Sequence, residues 1–223
     1  MNLRYPCLIL DHDDTAVDST AEIHYPAHRE IMKYLRPGTE PISLEGWFSK
    51  NFHPGIMHYL TDELQFTDEE LEAEYRIWRK FTTSRIPTFY PGFLETLQEY
   101  KKRGGIITVV SHSEEDIIRR HYGEQDNGLG YIPEMIFGWT YDEEKRKPHP
   151  FPVREILKHF NKGPEDALIV DDLKPGVLMG TNTGVTVAAA GWSHNIPEIQ
   201  DYMKENCAAY FTTVSDFRDF ILS

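Results

Sequence analysis

The stretch Leu8-Ile9-Leu10-Asp11-His12-Asp13-Asp14-Thr15-Ala16-Val17-Asp18-Ser19-Thr20 sets the terms for the rest of the chain. It begins inside a short apolar run, Tyr5 to Leu10, and breaks at once into carboxylates. A continuous apolar run of this length reads as a strand buried on both faces, with the acidic residues marking the end that reaches solvent. Asp11 and Asp13 sit two residues apart at that end. Carboxylates held so close repel each other unless a cation lies between them, so the arrangement suggests Mg²⁺. A lone D-x-D is more often an acidic loop or a helix cap, so the rest of the chain must decide.

Further runs of the same kind follow at Ile106 to Val110, Met135 to Phe137, Ala167 to Val170 and Val185 to Ala190, with a sixth at Ala209 to Thr212. Helical patterns alternate with them. Pro91 opens a segment with Phe93, Leu94, Leu97 and Tyr100 on one face, closed by Gly104 and Gly105. Ser113 is placed to cap a helix carrying Ile117 and Ile118, with Asp116 in a variant of the capping box. Val153, Ile156, Leu157 and Phe160 form another stripe, ended by Gly163. Strands alternating with helices predict an α/β fold, a doubly wound, Rossmann-like parallel sheet with ligands outside the carboxyl ends of its strands.

Residues 20–86 interrupt the alternation, because they show helical patterns and no buried strand. Ile23, Ala27, Ile31 and Leu35 recur at helical spacing before Pro37 and Gly38, and Thr67 with Glu70 forms a capping box ahead of Leu71, Tyr75 and Trp78. The segment reads as a helical insert, leaving 1–19 and 87–223 as the α/β domain.

Composition narrows the classes of function. The 223 residues are 40% hydrophobic and 26% charged, as in an ordinary globular protein rather than a disordered or fibrous one. The 23 Lys and Arg against 36 Asp and Glu leave a formal charge of −13, which repels a polyanionic backbone and argues against nucleic acid as partner. Cys7 and Cys207 lack metal-ligand spacing, and a disulfide framework is not expected. No apolar run reaches the length of a membrane span, and the first is too short for a signal-peptide core, so the expected location is cytoplasmic. None of these features speaks to oligomeric state.

The later strand ends shift the reading of the D-x-D. Ser111 follows the second strand in Val109-Val110-Ser111-His112, Lys147 stands before a proline in Arg146-Lys147-Pro148, and Asp171 with Asp172 follows the fourth strand. A parallel sheet would bring all of them to one edge. A hydroxyl and an ammonium suit phosphate oxygens, and a further carboxylate adds an oxygen ligand for Mg²⁺. Each signal alone has a bland reading as a turn residue or surface charge; their order carries the argument.

Strand-DxDxT, strand-Ser, Lys-Pro and strand-Asp-Asp in this order resemble the four motifs of the haloacid dehalogenase-like phosphatase superfamily. The helical insert after the first motif is similar to the C1 cap domain of its phosphoglycolate phosphatase and β-phosphoglucomutase relatives. The resemblance implies a Mg²⁺-dependent phosphatase acting on a small phosphorylated metabolite through an aspartyl phosphate. It makes Asp11 the nucleophile and Asp13 the general acid and base, with Thr15 supporting the loop. It assigns the phosphoryl oxygens to Ser111 and Lys147. Mg²⁺ would be held by Asp11, the Asp13 carbonyl and Asp172, with Asp171 as an outer or water-mediated ligand. His12 and Asp14 depart from the commoner D-F-D-G-T form; Asp14 can still take the left-handed backbone that glycine supplies there. His12 is expected to pack or meet solvent rather than touch substrate.

In the insert, Trp47, Phe48, His53, His58, Arg76 and Arg85 are candidates for substrate contact, although a dense aromatic stripe is more often the insert's own core. Lys33, Lys50 and Lys80 keep open a Schiff-base activity like that of phosphonoacetaldehyde hydrolases. A phosphomutase on the same scaffold is the other enzyme alternative. A signalling receiver domain is the alternative of another class, disfavoured by the D-x-D-x-T and the large insert.

Overall fold

A computed structural model describes residues 3–124 and 133–223. In chain order its elements are β1 (Cys7–Leu10), α1 (Tyr25–Leu35), α2 (Leu44–Phe52), the single turn α3 (Ile56–His58), α4 (Asp68–Ser84), α5 (Phe93–Lys102), β2 (Ile106–Val110), α6 (Glu115–Glu124), β3 (Met135–Phe137), α7 (Phe151–His159), β4 (Ala167–Asp171), α8 (Lys174–Thr183), β5 (Thr186–Ala190), α9 (Pro197–Asn206), β6 (Ala209–Phe211) and α10 (Val214–Leu222). They form two compact units, one of Met1–Asp18 with Thr88–Ser223 and one of Ser19–Pro87.

The first unit is a doubly wound sheet. Its six strands are all parallel and lie in the order β3-β2-β1-β4-β5-β6. Successive side chains alternate between the faces. Leu8, Leu10, Ile107, Val109, Leu168 and Val170 join one core with Phe93, Leu97 and Tyr100 of α5, Ile118 and Tyr122 of α6, and Phe217 and Ile221 of α10. On the other side α7 packs on β2, α8 on β4 and β5, and α9 on β6. Burial on both faces explains why these strands are unbroken apolar runs in the sequence. The chain moves outward from β1 through β2 to β3, then crosses to β4 on β1's other side, so the order reverses between β1 and β4. That switch point leaves a crevice outside the carboxyl ends of the strands.

The second unit is helical. Thr20–His24 forms a wide π-type turn that runs into α1, and Ile31, Met32, Trp47, Tyr59, Leu60 and Phe66 make a small core of their own. Thr67 caps α4 reciprocally with Glu70, as the capping box predicts. Glu70 also takes a bidentate bond from Arg36, tying the end of α1 to the start of α4.

The structure departs from the sequence reading in three local places. Ser113 does not cap α6: the first intrahelical carbonyl is that of Glu114, while the Ser113 amide donates to Ser111 Oγ and its carbonyl accepts from Trp139. The last turn of α7 is closed by Asn161 at φ 50°, two residues before Gly163, because asparagine tolerates the left-handed conformation. Tyr75 lies on the exposed side of α4 against Trp78, while Ala73 and Thr82 are buried.

Candidate active site

The register of β1 against β4 builds the site. Leu10 pairs with Val170, and the Asp11 amide donates to the Val170 carbonyl at 2.8 Å, so Asp11 and Asp171 leave adjacent strands side by side at the switch point. Lys147, from the segment after β3, places Nζ 2.9 Å from Asp11 Oδ1 and 2.6 Å from Asp171 Oδ2, with all three side chains buried. Asp11, Asp171 and Asp172 offer carboxylate oxygens within 4.8 Å of one another. The Leu173 amide donates to Asp171 Oδ1 at 3.0 Å, which orients that carboxylate at the entrance to α8. Gly176 in the first turn of α8 makes room for it: a Cβ there would lie 2.3 Å from Asp171 Cβ.

The loop after Asp11 is tightly folded. The His12 carbonyl accepts from the amides of Ala16 and Val17, and Asp14 adopts the left-handed backbone at φ 60°. Asp13 is bonded elsewhere: Ser111 Oγ donates to its Oδ2 at 3.1 Å while accepting from the Ser113 amide. The Asp13 carboxylate is therefore not part of the three-carboxylate group. Thr15 is buried, and its carbonyl accepts from Trp192 Nε1 at 3.1 Å. Its hydroxyl has no hydrogen-bond partner among the described residues, and the tie to Trp192 runs through its backbone.

The electrostatics are unbalanced. Asp11, Asp171 and Asp172 set three carboxylates against the ammonium of Lys147, the one cation paired with this group among the described residues. Burial opposes charge on Lys147, but Asp11 and Asp171 overrule it and hold the ammonium protonated. Burial and the neighbouring Asp11 carboxylate push Asp171 up, although Lys147 pulls the other way. Asp172 is raised well above the carboxylate range by burial first, then by Asp11 and Asp171. Asp172 Oδ2 is buried and lacks a hydrogen-bond partner among the described residues. A buried all-oxygen set with surplus negative charge and a free lone pair fits a hard divalent cation such as Mg²⁺.

Three histidines that the sequence reading left out or left without a role lie at or behind this edge. His194, four residues past the end of β5, brings Nε2 to 3.6 Å from Asp172 Oδ2, and burial lowers its pKa to about 4, so it is neutral at pH 7. His112, next to Ser111, meets the Lys147 carbonyl at 2.7 Å. His121 of α6 bonds to His12, which is buried against Tyr122 and Phe89. Position at a strand's carboxyl end was the available signal for His112 and His194; His121 carried none.

The candidates in the helical unit fare differently. Trp47 and Phe48 are buried, Trp47 in that unit's core. His53 is exposed, His58 pairs with Asp62 and Arg76 with Glu72, and Arg85 donates to the Glu22 carbonyl. Lys50 is held by Glu63, Lys33 is exposed beside Glu30, and Lys80 lies at the surface.

The model of the haloacid dehalogenase-like hydrolase family matches residues 8–190, which span the sheet from β1 to β5 together with the helical unit. The chain belongs to this family. It is similar to a phosphoglycolate phosphatase of Aquifex aeolicus, 26% identical over 193 residues that make up 84% of this chain and 85% of that one. A pyrophosphatase PpaX of Bacillus velezensis is 29% identical over 199 residues, 85% of each chain. A haloacid dehalogenase-like hydrolase of Streptococcus pneumoniae shares the fold, with a TM-score of 0.76 over 97% of this chain and 98% of that one at 16% identity. A receiver domain is thereby set aside, and the chain is a hydrolase of this family. No helix among the described residues is long and apolar enough to cross a membrane.

Proposed function

We propose that the protein is a Mg²⁺-dependent phosphatase that hydrolyses a small phosphorylated metabolite through an aspartyl phosphate. The observation that carries this reading is the single buried ammonium, Lys147, bridging Asp11 and Asp171 beside the unpartnered carboxylate oxygen of Asp172. Asp11, Asp172 and the Asp13 carbonyl would hold the ion, with Asp171, both of whose oxygens are engaged by Lys147 and the Leu173 amide, as an outer ligand. When bound, the ion offsets the negative charge of the phosphoryl oxygens.

The chain's own residues supply the rest. Lys147 and Ser111 bind the phosphoryl oxygens, and Asp11 attacks phosphorus as the ester P–O bond breaks. This splits one difficult displacement into two. Asp13 gives its proton to the departing oxygen, then takes one from the water that attacks the aspartyl phosphate. The bond between Asp13 and Ser111 supports this role, because it holds the acid beside the residue that grips the phosphoryl group. The inserted unit, which we take as residues 20–86, acts as a cap that selects substrate. The Schiff-base alternative gains no support, since none of Lys33, Lys50 and Lys80 is a desolvated, unpaired amine.

The names of the relatives direct the test toward phosphoglycolate, pyrophosphate, sugar phosphates and p-nitrophenyl phosphate. Hydrolysis of at least one, lost in excess chelator and restored by Mg²⁺, is the expected result. Asp172→Ala should lose Mg²⁺ binding in calorimetry together with turnover. Unchanged activity in chelator would remove the metal, and inertness toward the whole panel would remove the phosphatase. Isomerised sugar phosphate as the product would convert the reading to a mutase.

A further inference from the structure

Position 12 stands between the two catalytic carboxylates, and in this chain it carries a buried imidazole. His12 Nε2 lies 2.9 Å from His121 Nδ1, with the ring centroids 5.2 Å apart and 28° between planes. Both residues are almost completely buried. One ring donates its N–H and the other accepts; either assignment closes the bond. An apolar side chain at this position would be held by packing alone, which resists rotation weakly. A ring-to-ring hydrogen bond in a dry interior is directional.

The bond also closes a circuit. α6 begins just after Ser111 and Ser113, and Ser111 Oγ donates to Asp13 Oδ2 at 3.1 Å. About 1.5 Å per residue separates Glu115 from His121 along the same helix. So α6 is linked to the Asp11–Asp13 loop twice, through Ser111 upstream of its first turn and through His121 near its other end. His12 is held from two sides as well, because its carbonyl accepts from Ala16 and Val17. Freed of His121, the peptides flanking His12 could turn and carry Asp11 and Asp13 out of register with Ser111.

We propose that His121 is a positioning residue, which aims Asp11 and Asp13 through its hydrogen bond to His12. The inference rests on the proposed role of those carboxylates, but the bond can be seen without any turnover. In ¹⁵N-histidine-labelled protein, NMR should show one slowly exchanging ring proton with a nitrogen–nitrogen coupling between His12 and His121. His121→Leu keeps the volume and removes the nitrogens. It should lower kcat by between about 10- and 100-fold with KM within about twofold, the effect of a displacement near 1 Å. It should also weaken Mn²⁺ binding, measured by calorimetry, by about tenfold, since Asp11 is a proposed ligand. His121→Asn restores a polar atom near the place of Nδ1 and should recover most of both losses. Should His121→Leu fail to fold, His121→Phe carries the same test. Absence of the coupling in the wild type would overturn the proposal. So would equal losses in the leucine and asparagine variants, or a leucine variant that binds Mn²⁺ and turns over like the wild type. A wild type with the coupling but no hydrolysis would overturn the phosphatase reading alone, and Mn²⁺ affinity would then decide the role of His121.

Discussion

Each unit of this protein buries polar atoms left without a hydrogen-bond partner among the described residues, and the two cases differ in company. At the edge of the sheet, Asp172 Oδ2 has no hydrogen-bond partner among the described residues, but it lies within reach of Asp11 and Asp171, and Lys147 stands beside both. In the helical unit His28 is buried with neither ring nitrogen bonded to any described residue, and its neighbours are the rings of Trp47 at 4.4 Å, Tyr59 at 5.8 Å and Tyr25 at 6.5 Å. A buried polar group without a partner costs about 1–3 kcal/mol wherever it sits. Where several converge, a ligand can satisfy them together, and the cost becomes binding energy. An isolated one only lowers stability.

The largest effects are expected at the edge of the sheet, where Asp11 of the converging group and its neighbour Asp13 should fail in different ways. Asp11→Asn removes the proposed nucleophile, and we expect at least about 10⁴-fold loss of kcat with every substrate. Asp13→Asn should depend on the leaving group: alkyl esters fall by about 10²-fold or more, while p-nitrophenyl phosphate, whose leaving group needs no proton, keeps part of its first step. The second step then lacks its base. Rapid quench with intact-protein mass spectrometry should show a burst of nitrophenol and a trapped phosphoenzyme in Asp13→Asn and neither in Asp11→Asn. Equal losses for alkyl and aryl esters would take Asp13 out of its role.

The same contrast explains what the sequence disclosed. Strands covered on both faces must be apolar throughout, so β1, β2 and β4 stand out as runs, and the residues at their ends fall on one edge whatever the details of packing. Asp11, Ser111, Lys147 and Asp171 could therefore be grouped before any coordinates. The link from His12 to His121 spans 109 positions and depends on how α6 rolls against the sheet, which no local pattern records. His28 was legible only as a member of a helix. Whether a histidine in an amphipathic helix is paired or stranded is decided by the rings packed around it, contributed here by α1, α2 and the turn after α3.

A smaller effect tests whether the carboxylate cluster is held rigidly. Gly176→Ala would put a Cβ 2.3 Å from Asp171 Cβ and 2.4 Å from its Cγ. The clash is with the stiff base of the side chain at the end of β4, so α8 must move. Overpacking of this kind costs about 1–3 kcal/mol. For a chain of this size the melting temperature should fall by about 2–12 °C, and Mg²⁺ affinity with it. Gly123→Ala is the control, because a Cβ there meets nothing within 4 Å. It should be neutral or slightly stabilising, as alanine favours a helix over glycine. If both variants behaved alike, the cluster would be softer than its geometry implies.

Near neutral pH the smallest effect belongs to the stranded histidine, and its sign is opposite to that of the cluster. Burial lowers the His28 pKa from 6.5 to about 4, so between those values the unfolded chain binds a proton that the folded one refuses. Stability from this residue is complete above pH 6.5 and is lost as pH falls toward 4, by roughly 2 kcal/mol at pH 5. Asp171 and Asp172 are shifted upward, so the metal-free sheet gains stability as the solution is acidified and its crowded carboxylates take up protons. Denaturant unfolding at pH 7 and pH 5, with and without Mg²⁺, separates the two. His28→Phe should abolish the helical unit's acid lability, followed by hydrogen exchange in α1 and α2, and should leave the response of β1 and β4 unchanged. Mg²⁺ should suppress the gain in β1 and β4 and leave α1 and α2 as they were. An acid response of α1 that survived in His28→Phe would mean that another group in the helical unit carries the titration, and the contrast between a converging and an isolated polar site would lose its second half.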